Sequence, residues 1–115
     1  MSNICYVVNE TGQNIHNLSV QKFLGGNPDG GISQALLNLN ETISFTFNGG
    51  SGSDTWTLSF TLDDGTTHSR SGKQCDVSSD DLASQAGVYL NLLASTTGFS
   101  IETPVSSGCT DNHYD

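Results

Sequence analysis

The stretch Thr55-Trp56-Thr57-Leu58-Ser59-Phe60-Thr61-Leu62 decides the fold class, because every even position is apolar and every odd position carries a hydroxyl. Side chains of a strand point alternately to its two faces, so this period of two describes a strand with one face buried and one wet. Thr42-Ile43-Ser44-Phe45-Thr46-Phe47 repeats the scheme, with Ile43, Phe45 and Phe47 inward and the three hydroxyls outward. The glycine- and serine-rich run from Asn48 to Asp54 between them reads as the long loop of a hairpin.

Outward from this pair, further strands are expected at 3–8, 14–23, 66–71, 86–93 and 98–103, with a weaker one at 32–39. Turn chemistry separates them at Glu10-Thr11-Gly12, Asn27-Pro28-Asp29-Gly30-Gly31 and Asp63-Asp64-Gly65. Residues 77–86 hold the one candidate helical turn, with Ser78 and Ser79 ahead of Asp80 and Asp81 as its N-terminal signal. Seven to eight short strands without an amphipathic helix describe an all-β fold, a two-sheet antiparallel β-sandwich of the jelly-roll or lectin-like kind. Its expected core is Ile4 or Val7 with their neighbours, Leu18, Val20, Leu37, Ile43, Phe45, Phe47, Trp56, Leu58, Phe60, Leu62, Val88, Leu90, Leu92, Phe99 and Ile101. A chain of 115 residues supports one such core, hence a single domain over 1–115. Residues 106–115 read as a polar tail, loose unless Cys109 anchors it.

The formal charge is −9, with three basic residues (Lys22, Arg70, Lys73) against twelve acidic ones. A phosphate backbone or an anionic membrane would be repelled, which excludes nucleic acid as a partner. No stretch is apolar for long enough to insert in a membrane, and the opening Met-Ser-Asn-Ile-Cys-Tyr-Val-Val lacks the basic region of a signal peptide. The cysteines, Cys5, Cys75 and Cys109, allow one bridge and one spare thiol. Cys75 and Cys109 both lie near turn-rich boundaries and are the expected pair; the alternative is three reduced thiols in a cytosolic protein.

The carboxylates fall in turns. Asn27-Pro28-Asp29-Gly30, Asp63-Asp64-Gly65, Ser79-Asp80-Asp81 and Asp111-Asn112 offer the hard oxygens that calcium requires, making Asp29, Asp63, Asp64, Asp80 and Asp81 the candidate metal ligands and Ca²⁺ the candidate cofactor. None matches an EF-hand loop, and the same residues are ordinary turn formers. Sugar binding asks for a carboxylate or amide, a backbone donor from glycine and an exposed aromatic face. Asp29, Gly30, Asp63 and Asp64 can supply the first two, and Tyr89, turned outward beside Asn91 by the phase of Val88, Leu90 and Leu92, supplies the third, with Tyr114 as second choice.

The order of short motifs resembles a family of small β-sandwich domains known from nematode proteins up-regulated in long-lived insulin-receptor mutants, with relatives in bacteria and slime moulds. The matching pieces are Asn9-Glu10-Thr11-Gly12 followed by Ile15, Leu18 and Val20, the approach from Gly50 to Asp54 into Trp56, Lys73-Gln74-Cys75, and Ser106-Ser107-Gly108-Cys109. Loop composition is also similar to the slime-mould hemagglutinins, lectins with a legume-lectin-like sandwich. The resemblance implies a lectin-like fold and carbohydrate binding.

Catalysis finds little in the sequence. His16, His68 and His113 lie far apart with no motif around them, and no phosphate loop or nucleophile elbow occurs. The function expected is therefore that of a non-enzymatic, carbohydrate-binding lectin or hemagglutinin, calcium-assisted, with glycans or glycoproteins as partners. Agglutination needs more than one site per particle, so a homo-oligomer is expected. The setting would be extracellular or at the cell surface, the alternative being cytoplasmic. A second function class is a structural or stress-protective protein, such as an ice-binding or surface-adsorbing one, suggested by the hydroxyl rows Thr55, Thr57, Ser59, Thr61 and Thr42, Ser44, Thr46. The sequons at Asn9, Asn17 and Asn40 are read as chance in a chain rich in Asn, Ser and Thr.

Overall fold

The structure is a computed structural model that describes residues 3–114. Met1, Ser2 and Asp115, and with them the last residue of the expected tail, lie outside the described residues. The elements in chain order are β1 (Asn3–Asn9), β2 (Ile15–Leu24), β3 (Asn27–Leu37), β4 (Thr42–Phe47), β5 (Asp54–Leu62), β6 (Thr67–Gln74), α1 (Ser79–Ser84), β7 (Val88–Leu92), β8 (Phe99–Glu102) and β9 (Cys109–Asp111).

They form a five-stranded sheet in the order β4-β1-β7-β8-β9 and a four-stranded sheet in the order β3-β2-β5-β6. The all-β sandwich read from the alternation is thus the architecture. All neighbours are antiparallel except β1 and β7, which run parallel. The apolar phases of the strands meet in one shared core: Trp56, Leu58, Phe60 and Leu62 from β5 join Phe45 and Phe47 from β4, Val88, Leu90 and Leu92 from β7, and Phe99 and Ile101 from β8. In β1 the inward phase is Cys5, Val7 and Asn9, so Ile4 stands outside, 40% exposed. Ile43 is only partly buried, at the core's margin.

Two local expectations are corrected. β4 and β5 are not a hairpin: β4 is an edge of one sheet beside β1, and β5 is an interior strand of the other between β2 and β6. The run 48–53 crosses from sheet to sheet, with Gly49, Gly50 and Gly52 at positive φ. Alternation fixes which face of a strand is wet, but both sheets of a sandwich share that pattern, so it cannot assign a strand to a sheet. Residues 27–31 are strand rather than turn. The reversal between β2 and β3 falls one step earlier, at Gly25 and Gly26 with φ of 58° and 84°, the left-handed pair that a two-residue hairpin turn requires.

α1 is a single capped turn. Ser78 Oγ accepts from Asp81 N–H, and Asp81 Oδ2 accepts from Ser78 N–H, a reciprocal capping box. The tail is anchored: Cys109 opens β9 on the edge of the five-stranded sheet and is disulfide-bonded to Cys75, just past β6 of the other sheet. Arg70 Nε on β6 donates to Asp111 Oδ2 on β9 at 2.7 Å, joining the same two edges.

Candidate functional site

The outer face of the five-stranded sheet carries an aromatic platform. Register aligns Ser44 on β4, Tyr6 on β1, Tyr89 on β7 and Glu102 on β8 in one row across four strands. The parallel pairing of β1 with β7 brings the two tyrosines side by side, ring centroids 4.9 Å apart and planes 23° from parallel. Tyr89 is 41% exposed, as its outward phase requires. Gly87 (φ 91°) permits the arrangement, since a Cβ there would lie 2.9 Å from Tyr6 Cε2.

A groove of ≈ 510 Å³ opens beside Tyr89, bounded by Ala86 and Gly87 on one side, Glu102 on its floor strand, and Thr103, Pro104 and Ser107 on the other. Its far wall is held by Asp81. Asp81 Oδ1 accepts the N–H groups of Val105 and Ser106, both at 2.8 Å, and Oδ2 accepts the Ser106 hydroxyl at 2.6 Å in addition to the Ser78 N–H. Burial alone would raise the Asp81 pKa, but these donors outweigh it and hold the carboxyl well below the usual range. One buried carboxylate therefore fixes both α1 and the 103–107 loop. The groove combines an aromatic face, a carboxylate acceptor and hydroxyls, the mixture a polar ring-shaped ligand uses.

The other residues singled out by sequence lie elsewhere. Asn91 is one row below Tyr89 on the same face, yet it is buried, its Nδ2 donating to Ser100 Oγ at 3.2 Å. Asp29 and Gly30 belong to β3 on the four-stranded sheet. Asp29 turns inward, where its oxygens accept from Lys22 Nζ and from the N–H groups of Asn48 and Gly49. Gly30 packs where a Cβ would sit 2.6 Å from the Thr46 carbonyl oxygen. Asp63 and Asp64 occupy the exposed β5–β6 turn: Asp63 Oδ1 lies 2.6 Å from His16 Nε2, while Asp64 accepts from the Thr66 N–H and hydroxyl and from Gln13 Nε2. The hydrogen bond from His16 holds Asp63 low, and those from Thr66 do the same for Asp64. Asp80 is exposed in the first turn of α1. Among the described residues no three His, Cys, Asp or Glu side chains gather as a metal site. Carboxylates placed by turn chemistry have become turn and cap acceptors, and one core acceptor.

Tyr114, the alternative aromatic, is buried. It packs against Phe60, His68 and Phe99, and its hydroxyl donates to the Gly98 carbonyl at 2.6 Å. Asp111 pairs with Arg70, which holds its carboxyl low. Cys5, the remaining thiol, is buried, and burial pushes its pKa up to about 12. The two hydroxyl rows cover opposite outer faces, since β4 and β5 belong to different sheets. Asn9 leaves no room for a glycan: it has no exposed surface, and its amide bridges Gln13, Leu37, Asn38 and Thr11.

Two residues of these arrangements escaped the sequence reading. Tyr6 has the outward phase of Cys5-Tyr6-Val7, a signal that becomes legible once the strand's buried side is known. Lys22 continues the inward series Leu18, Val20 and is wholly buried. Its Nζ lies 2.6 Å from Asp54 Oδ1 and 2.7 Å from Asp29 Oδ2, with the Phe47 and Trp56 rings 4.8 and 5.7 Å away.

No family model matches the chain, and no curated protein matches it in sequence. Among solved structures, an NMR structure of a protein from Eubacterium rectale superposes with a TM-score of 0.58 at 14% identity, covering 92% of this chain and 91% of that one. At that identity the likeness concerns the sandwich alone.

Proposed function

We propose that this protein is a non-catalytic carbohydrate-binding sandwich, a small lectin, whose ligand lies in the groove beside Tyr89. The observation that supports this is the Tyr6–Tyr89 stack set in one row with Glu102 at the edge of an open groove. In this reading the C–H face of a pyranose ring rests on Tyr89, Glu102 accepts from vicinal hydroxyls, and Thr103 and Ser107 complete the polar rim. The disulfide fits an extracellular or cell-surface setting. Agglutination would require a second copy to supply a second groove. Calcium assistance would draw on Glu102 in the groove and on Asp80, exposed in the first turn of α1.

A glycan array screened with and without calcium, wild type beside Tyr89→Ala, tests the reading. Binding that the substitution removes supports it; no binding under either condition overturns it. A second reading rests on the row Ser33–Ser19–Ser59–Ser69, aligned by register across all four strands of the other sheet. Such a flat uncharged row suits adsorption to an ordered surface such as ice. Thermal hysteresis in dilute protein, lost when Ser59 becomes a bulky residue, would favour it over sugar binding.

A further inference from the structure

Lys22 stands in an arrangement that exceeds ordinary ion pairing. Two carboxylates share one ammonium in a site closed to water, under Phe47 and Trp56. Removing three charges from water is costly, and the set still carries a net negative charge. Condensing the ammonium with one carboxylate would cancel two of those charges and release a water.

The carboxylates differ in what holds them. Asp29 has backbone donors on both oxygens, Asn48 N–H on Oδ1 and Gly49 N–H on Oδ2, the latter also facing Lys22. Asp54 has its oxygens divided: Oδ1 faces Lys22 Nζ at 2.6 Å, and Oδ2 accepts the Val77 N–H at 2.8 Å. Its backbone is fixed on both sides, N–H to Asp76 Oδ1 and C=O to Cys75 N–H. The Val77 N–H therefore points at the oxygen on which charge would develop if the carboxyl carbon were attacked.

We propose that Lys22 and Asp54 join in an intramolecular amide, with Asp29 as the proton carrier. Asp29 takes one proton from the Lys22 ammonium. The freed Nζ electron pair attacks Asp54 Cγ, forming the C–N bond, and the carbonyl electron pair moves onto Oδ2, facing the Val77 N–H. Asp29 delivers its proton to Oδ1 and then relays a second proton from Nζ to the same oxygen. The Cγ–Oδ1 bond breaks, water leaves, the Oδ2 pair restores the carbonyl, and Asp29 ends as a carboxylate. An ammonium and a carboxylate have become an amide and one water, with no oxidant, nucleotide or metal consumed. Hydrogen-bond contact between the reacting groups, held by three strands, supplies the proximity. The bond would tie β2 to β5 independently of any sugar bound on the opposite sheet.

Intact mass spectrometry of the reduced, full-length protein tests this directly and needs no variant to fold. The expected mass is one water below that of the sequence. Trypsin should then leave peptide 1–70 uncut at Lys22, lighter by one water, with fragmentation placing the branch between Lys22 and Asp54. Asp54→Ala should restore the full mass, and Asp29→Asn, which keeps both reacting groups, should slow formation by at least about a hundredfold. Peptides 1–22 and 23–70 at full mass in the wild type would overturn the proposal, as would a water loss that survives Asp54→Ala.

Discussion

The ring of Tyr6 lies against that of Tyr89, centroids 4.9 Å apart, because β1 and β7 run parallel and in register. A stacked pair on a sheet surface is a rigid ledge: neither ring can rotate without losing the other. Replacing Tyr89 by Ala removes the ledge and its share of the groove wall. Glycan affinity should fall by about fivefold, since an aromatic contact is worth ~1 kcal/mol beyond its buried area. Titration calorimetry of both proteins on the best array ligand checks this, with melting temperatures confirming that the variant is folded.

Gly87→Ala probes the same ledge from beneath. The new Cβ would meet Tyr6 Cε2 at 2.9 Å and sit at φ 91°, a conformation that alanine resists. We expect a loss of roughly 1–3 kcal/mol in chemical denaturation, and weaker sugar binding although no ligand contact has been removed.

Acid should unfold the protein through named carboxylates. Asp29, Asp81 and Asp111 have folded pKa values below the ordinary aspartate value. A depressed folded pKa contributes stability above the unfolded value, near ~3.9, that is lost as pH falls toward the folded value. Stability should therefore be flat above pH ~5 and decline below pH ~4. Asp81→Asn should lower stability at neutral pH by about 3 kcal/mol and make the decline shallower, because a neutral amide accepts fewer of the four donors that the carboxylate holds.

Alkali acts on the other end. Burial pushes the Tyr114 hydroxyl above its ordinary pKa, so its contribution is complete below pH ~10 and is lost above that. Tyr114→Phe should remove this alkaline limb. Its cost near neutrality should be about 1 kcal/mol, the lost bond to Gly98.

Reducing the Cys75–Cys109 bridge, which spans a sequence separation of 34, should lower stability by roughly 3–4 kcal/mol if chain entropy dominates. Melting with and without reductant measures it. Cys5, buried with its thiol pKa near 12, should resist alkylation in the folded protein and react only after unfolding.

Fold class was legible because alternation is a local signal: Trp56 to Leu62 shows its wet and dry faces residue by residue. Sheet membership was not, because β4 and β5 obey the same alternation while lying in different sheets. The outward phase of Tyr89 was readable from Val88, Leu90 and Leu92, but its neighbour Tyr6 is 83 positions away in the chain and reaches it only through a parallel pairing that no hairpin rule anticipates. Lys22 was readable in principle from the phase of Leu18 and Val20. A charge in that series signals buried partners, here Asp29 seven residues on and Asp54 thirty-two. Asp29 and Asp81, chemically fit for cations, spend their oxygens on Lys22 and on backbone donors, partners that the local turn chemistry does not reveal.

The side of the sandwich closed by Cys75–Cys109 and by Arg70–Asp111 has a counterpart across the molecule, where Gly30 of β3 nests against Thr46 of β4. Each sheet thus turns its borders toward those of the other, as the seams of a flattened tube. A neighbouring chain seeking to extend either sheet by hydrogen bonding would first have to prise a seam apart, one of them covalent. The surfaces left open to a second copy are then the two broad faces, tyrosine ledge and serine row, and the valency of an assembly would follow from which of them it covered.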